Sequence, residues 1–90
     1  MNLTIEEALQ QGEAAHIEGK LQEAERIYRT ILEAQPKHPY ANHNLGMLAA
    51  SRYKSQIALP FFEIALEENP EREEFWLSYI KALISIDEIE

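Results

Sequence analysis

The sequence contains no cysteine and only short apolar runs. Without cysteine the chain has neither a disulfide framework nor a thiolate zinc site, so redox chemistry does not mark its compartment and a cytoplasmic location is expected by default. A helix that spans a membrane needs about 20 consecutive apolar residues, and no stretch here approaches that length. The stretch "NLTIEEALQQGE", which follows Met1, lacks the basic start and apolar core of a secretory signal, so we expect none.

Basic residues are also scarce. Eight lysines and arginines stand against sixteen aspartates and glutamates, which gives a formal charge of −8. Nucleic-acid binding depends on lysine and arginine side chains that neutralise phosphates. The charge balance therefore predicts no nucleic-acid partner and favours neutral or basic protein partners.

The chain does contain a regular helical pattern. Its 90 residues suit one small domain, and an apolar fraction of 46% is typical of a folded chain. The three glycines and four prolines stand at a few sites. Between those sites apolar residues recur at helical spacing, and no stretch alternates apolar and polar residues as a half-buried strand would. We therefore predict an all-α fold with five helices, at residues 4–17, 21–34, 39–52, 55–68 and 72–86.

Several residues predict where these helices begin and end. Thr4 and Glu7 have the spacing of a capping box, and Gly19 can supply a left-handed residue after the first helix. Pro39 suits the first turn of the third helix, and Ser55 is the expected cap of the fourth. Pro60 lies beyond that cap, where it should bend the fourth helix slightly without breaking it.

The strongest pattern is a 34-residue repeat. Five pairs of similar residues share this offset: Gly12 with Gly46, Ala24 with Ala58, Tyr28 with Phe62, Leu32 with Leu66, and Pro36 with Pro70. A fixed period of this length is typical of stacked helical hairpins, in which each repeat buries its apolar face against its neighbours.

These residues resemble the tetratricopeptide repeat family, whose pattern has a glycine in the first helix, an alanine and an aromatic residue in the second, and a final proline. The second copy matches well, whereas the first has Gln11 where the family has an apolar residue. The resemblance implies antiparallel helical hairpins stacked as a solenoid: repeat 1 at about 5–38, repeat 2 at about 39–72, and a partial repeat or capping helix at 73–90. The single domain 1–90 would hold about two and a half repeats.

The resemblance also implies a reason for the glycines, each of which costs a helix about 0.5–1 kcal/mol relative to alanine. Gly46 should lie where the two helices of one hairpin touch, next to Ala58, with Phe62 filling the gap toward the next repeat. Gly12 and Ala24 should do the same one repeat earlier. Tyr53 replaces the glycine of the first hairpin turn, Gly19, so the second turn should have a different shape.

In this family the first helices of successive repeats line a concave groove that holds an extended peptide or a partner helix. Carrying the register across predicts a partner-binding groove lined by Leu9, Glu13, His16, Tyr40, His43, Asn44, Met47, Leu77 and Lys81, with Ser51 and Ser78 beside them. Chaperone-binding members clamp a carboxylate with asparagine, lysine and arginine side chains. The corresponding positions here are Leu9, Glu13, Asn44, Glu74 and Ser78, of which only Asn44 matches, so capture of an acidic tail is not expected.

No catalytic or cofactor chemistry is predicted. His38 and His43 lie five residues apart without a carboxylate at metal-ligand spacing, and no glycine-rich phosphate loop is present. None of the serines has an evident base to activate it. We therefore expect no enzyme activity, no cofactor and no metal. The run "EENPEREE" is expected to be a solvated turn between repeats, with Glu73 and Glu74 favouring the start of the last helix.

The last helix is apolar on most of its surface, which predicts burial on two sides. Trp76, Leu77, Ile80, Leu83 and Ile84 form one stripe. A second stripe, Phe75, Tyr79, Ala82, Ile86 and Ile89, is the predicted surface for self-association or for packing of a next repeat.

Two functions remain open at this point. The first is a scaffold that binds a protein or peptide in its groove, expected as the amino-terminal part of a larger protein. The second is a structural or oligomerisation segment that precedes a catalytic domain, for example a transferase, and that forms a homodimer through its last helix.

Overall fold

The computed structural model describes residues 3–89, with side chains to residue 87. This part of the chain contains helices and no strand, which confirms the predicted all-α fold. The predicted helix boundaries agree to within one residue, except that the last helix continues to Ile89. The helices are α1 (Ile5–Ile17), α2 (Leu21–Ala34), α3 (Pro39–Arg52), α4 (Ser55–Glu68) and α5 (Glu73–Ile89).

Three of the predicted helix-end features are present in the structure. The Thr4 hydroxyl accepts a hydrogen bond from the amide of Glu7, and the Glu7 carboxylate accepts one from the amide of Thr4, so the capping box is confirmed. Gly19 has a φ of 82° and ends the first hairpin turn in the left-handed region. Pro39 lies in the first turn of α3. Tyr53, in contrast, has a φ of −120°, so the second turn has a different shape, as predicted.

The predicted cap of α4 is wrong. Ser55 is the first residue of the helix, and Lys54 precedes it as the N-cap without a side-chain hydrogen bond to the first turn. The cause is the backbone of Lys54, which is extended at φ −146° and ψ 150° and so ends the turn one residue earlier than the serine suggests. As predicted, α4 continues through Pro60 without a break.

Each helix packs against the next one along the chain, and α3 also touches α1 and α5. The short connections make α1–α2 and α3–α4 helical hairpins. The two central core clusters repeat with the period of the sequence. The first contains Ala15, Ala24, Tyr28, Leu45 and Leu48. The residues 34 positions later are Ala49, Ala58, Phe62, Tyr79 and Ala82, and all five belong to the second cluster. Residues 34 positions apart in the sequence therefore occupy equivalent positions in the core.

The two helical glycines have the same contacts at that offset. A β-carbon on Gly12 would lie 2.6 Å from Cε1 of Tyr28, and a β-carbon on Gly46 would lie 2.6 Å from Cε1 of Phe62. Both aromatic side chains are almost fully buried, so neither ring can move aside without disturbing the core. This confirms that the glycines lie where the two helices of each hairpin touch.

The two stripes of α5 have different environments. Phe75 is fully buried beside Ala65 and Leu66, and Ala82 is 4% exposed beside Phe62. Tyr79 and Ile86 are half-buried, and the side chain of Ile89 lies outside the described residues. The stripe predicted for self-association or for packing of a next repeat is therefore occupied within this chain, because α4 buries Phe75 and Ala82. The exposed stripe is the other one, Trp76, Leu77, Ile80, Leu83 and Ile84, each at least 40% exposed.

Within residues 3–89, none of the helices combines the length and the apolar character needed to cross a membrane.

Candidate functional site

The first helices of the hairpins and α5 share an open concavity of about 400 Å³. Its lining comes from α1, from α3, and from α5 with the residue just before it, whereas α2 and α4 contribute nothing to it. We call this the concave surface, and its lining residues are Glu13, Tyr40, His43, Asn44, Met47, Arg72, Glu74, Phe75, Leu77, Ser78 and Lys81.

Most of the predicted groove residues meet there. Glu13 comes from α1, and Leu77 and Lys81 come from α5. The four from α3 are Tyr40, His43, Asn44 and Met47. Ser78, which was placed beside the groove, also lines it. Ser51 instead lines a neighbouring depression of about 370 Å³ that shares Met47 and Lys81.

Leu9 and His16 do not line the concave surface. Leu9 is half-buried and packs against the first core cluster. His16 packs edge-on against Tyr28, and its Nδ1 is 3.4 Å from the Tyr28 hydroxyl. Register alone placed them in the groove. In the structure Leu9 contacts the core and His16 contacts Tyr28 of α2, whereas Glu13, which lies between them on the same side of α1, lines the concave surface.

The floor of the concave surface is apolar and contains a buried imidazole. The side chain of His43 is 6% exposed, and its ring lies 4.6 Å from that of Phe75 and 5.7 Å from that of Phe62, centre to centre. Its Nε2 is 2.7 Å from the hydroxyl of Ser78, so one hydrogen bond joins α3 to α5. Burial disfavours the charged ring and lowers the pKa of His43.

A second polar contact joins α3 to α1. The side-chain amide of Asn44 donates a hydrogen bond to the Glu13 carboxylate over 3.1 Å. Tyr28 lies beneath this pair, and burial raises the pKa of its hydroxyl to about 12. Asn44 and Glu13 therefore hold each other in place, and a carboxylate ligand approaching Asn44 would also meet the negative charge of Glu13.

One end of the concave surface includes residues that the groove prediction omitted. The guanidinium of Arg72 lies 5.0 Å from the centre of the Tyr40 ring and forms an ion pair with Glu74. Tyr40 in turn packs edge-on against Phe75 at 5.6 Å. The sequence predicts Arg72 as the first residue of the last helix, but it lies in the connection before α5, and its contact with Tyr40 depends on the course of that connection. The 34-residue offset does give a signal for Phe75, because it corresponds to the buried Ala41.

The polar groups of the site are internally satisfied. Among the side chains to residue 87, none has a buried nitrogen or oxygen without a hydrogen-bond partner. In the same part of the chain, no three histidine, cysteine, aspartate or glutamate residues lie close enough to hold a metal ion together. What the concave surface offers a ligand is an apolar floor with exposed Met47 and Leu77, surrounded by groups of both charges.

No model of a protein family matches the chain, and no curated protein matches it in a sequence search.

Proposed function

We propose that this chain is a protein-interaction module of the tetratricopeptide-repeat type that holds a peptide or a partner helix on its concave surface. One observation carries the proposal: helices α1, α3 and α5 contribute to a single open concavity. Two core clusters related by the 34-residue offset pack these helices in that arrangement. Stacked hairpins commonly use such an extended concave surface for binding.

The chemistry of the surface supports a peptide ligand. Met47 is 39% exposed and Leu77 is 56% exposed; the unbranched side chain of Met47 can adapt to a ligand, and Leu77 adds apolar surface beside it. Tyr40, which is half-buried, supplies aromatic surface, and aromatic residues are enriched at protein interfaces. The Asn44–Glu13 pair makes an acidic carboxyl terminus a poor ligand, so we propose an extended segment that buries apolar side chains against Met47 and Leu77.

The proposal gives the chain a binding role and no catalytic one, with no cofactor. Cytoplasm is proposed as the compartment by default only, because a chain without cysteine carries no redox mark of its compartment.

Selection of peptides from a random display library on the purified chain tests the proposal. Selected peptides should bind the native chain. They should bind the variant Met47→Glu at least ten times more weakly, because a carboxylate would enter the apolar floor. The variant Ile57→Glu is the matched control. Ile57 is 49% exposed on α4, which does not line the concave surface, so this variant should bind as the native chain does.

Chemical shifts of the amides give an independent location for the bound peptide. The largest changes should fall on α3 and α5, around His43 and Leu77. Peptides that bind Met47→Glu unchanged, or that shift only α2 and α4, would contradict the proposal.

A further inference from the structure

The outer face of α5 is a second surface, separate from the concave one. It consists of Trp76, Leu77, Ile80, Leu83 and Ile84, which are three or four residues apart and so share one side of the helix. Leu77 also borders the concave surface, but the other four do not line it. We call this set the α5 outer face. Five large apolar side chains, each at least 40% exposed, are more than a scattered surface residue or two and indicate a contact site.

The first possible occupant is a further helix packed as α4 packs on α3. The 34-residue offset places Ile80 at the position of Gly46 and Gly12. At both glycines even a single β-carbon would lie 2.6 Å from the aromatic ring of the facing helix. Ile80 carries a branched side chain at that position. A helix that closes on α5 in the geometry of the first two hairpins would therefore collide with it, so the α5 outer face requires an occupant that lies farther away.

The second possible occupant is another copy of this chain. Glu73 and Asp87 are both exposed and lie on the same side of α5 as Trp76, Ile80 and Leu83, one at each end of the apolar stripe. Their separation in sequence corresponds to about 21 Å along a helix. If two copies paired through this face, each end of the interface would bring carboxylates together, in an antiparallel or a parallel arrangement. Each chain also carries a formal charge of −8, so long-range repulsion opposes self-association.

The remaining occupant is a helix of opposite charge. An amphipathic helix with an apolar stripe matches the α5 outer face, and lysine or arginine residues about fourteen positions apart would meet Glu73 and Asp87. Glu63, which accepts a hydrogen bond from the hydroxyl of Tyr79 on α5, adds a third exposed carboxylate beside the helix. We propose that the α5 outer face binds an amphipathic helix of another protein whose apolar stripe has a basic residue at each end.

The structure provides a built-in probe for this contact. Trp76 is the single tryptophan of the chain and is 44% exposed within the α5 outer face. Its indole nitrogen donates a hydrogen bond to the carbonyl of Pro70 over 2.7 Å, so the ring has a defined position. A helix seated on this face would shield the indole ring from water and move its fluorescence to shorter wavelengths.

The test uses two synthetic helical peptides, each about five turns long so that it spans the distance from Glu73 to Asp87. Both have the same leucine stripe at spacings of three and four; one has lysine at each end of the stripe and the other has glutamate there. The lysine peptide should shift the emission of Trp76 and bind at least ten times more tightly than the glutamate peptide at low salt. Added salt should reduce this ratio, because exposed charges are screened.

Two variants of α5, a single and a double one, locate the contact, and a variant of α4 is their control. Ile80→Glu should abolish binding of the lysine peptide, whereas the control Ile57→Glu on α4 should not change it. The double variant Glu73→Lys with Asp87→Lys should reverse the preference between the two peptides. Because these three positions are exposed, circular dichroism should show unchanged helix content in both variants.

Three outcomes would overturn the proposal. Equal affinity for the two peptides would remove the charge argument, and the absence of any emission shift would show that the face does not bind such a helix. Light scattering gives the third: a dimer of the native chain that Ile80→Glu converts to a monomer would mean that a second copy occupies the face.

Discussion

The two hairpins and α5 use one sequence position in opposite ways. In α1 and α3 that position is glycine, and an aromatic ring of the following helix occupies the space that a β-carbon would fill. In α5 it is Ile80, which is 46% exposed. Glycine at this position lets a second helix approach closely, whereas Ile80 has a branched side chain at the place where such a helix would pack. The difference separates the part of the chain whose helices are closed into hairpins from the part that presents an apolar face.

The same comparison explains why α5 has a fixed place in the fold despite its exposed face. Its inner stripe repeats the packing of α3: Tyr79 and Ala82 correspond to Leu45 and Leu48 at the 34-residue offset, and both pairs contact the helix that precedes them. The inner side of α5 therefore continues the stack, and only its outer side departs from the repeat.

The largest effect should come from placing the residue of α5 in α3. Gly46→Ile would put a branched side chain into the space of the buried Phe62 ring, and such overpacking costs about 3 kcal/mol of unfolding free energy. For a domain of this size that is a large share of total stability. Urea denaturation followed by circular dichroism measures it. A variant as stable as the native chain would show that the hairpin helices are not in close contact at Gly46.

The reciprocal change should have a smaller effect. Ile80→Gly removes an exposed side chain and introduces a flexible residue, so it should lower the unfolding free energy by about 0.5–1 kcal/mol, as expected from helix propensity alone. The same urea titration, run beside Gly46→Ile, checks it. If Ile80→Gly were the more damaging of the two, Ile80 would be part of the core and the comparison above would fail.

A substitution at the start of α4 should raise the unfolding free energy by an amount similar to the loss expected for Ile80→Gly. The reason lies in a difference between the starts of α1 and α4. Thr4 caps α1 with its hydroxyl, whereas Lys54 stands at the start of α4 without a side-chain cap. The backbone of Lys54 already has the extended conformation of a cap residue, so Lys54→Ser should raise the unfolding free energy by about 0.5–1 kcal/mol. Thermal denaturation measures the gain, and Lys54→Ala is the control that removes the lysine without adding a cap.

The smallest effect we expect is a pH dependence of the unfolding free energy. It comes from His38 and His43, which lie at the start of α3. Burial lowers the pKa of both His38 and His43 below the ordinary value of 6.5. Below pH 6.5 the unfolded chain binds protons that the folded chain does not, so stability should fall as pH decreases and remain constant above that value. Nδ1 of His38 also accepts a hydrogen bond from the amide of Ala41, which protonation would remove.

Urea midpoints at pH 7.5 and pH 5.5 measure this dependence. The double variant His38→Asn with His43→Gln should flatten it, because asparagine can still cap α3 and glutamine can still bond to Ser78, while neither titrates. An undiminished dependence in the double variant would assign the effect to other groups.

Part of the candidate site follows from the sequence and part does not. The 34-residue period brought Glu13, Met47 and Lys81 to one surface, since residues at corresponding positions of stacked hairpins face the same way. It could not show that Leu9 packs against the core, that His16 packs edge-on against Tyr28, or that Arg72 reaches the ring of Tyr40. These contacts depend on the angle at which neighbouring helices cross and on the course of a turn, and neither is encoded in a spacing.

Local sequence is enough to specify the five helices, most of their ends and the period of the core. Capping hydroxyls, a left-handed glycine and a first-turn proline act within a few residues, and Gly12 and Gly46 need only an aromatic residue sixteen positions later. Only the tertiary structure decided which side of α5 is buried. Both stripes of that helix are apolar, and local chemistry cannot choose between them. The choice is made by α4, which covers Phe75 and Ala82 and leaves Trp76 and Ile80 exposed.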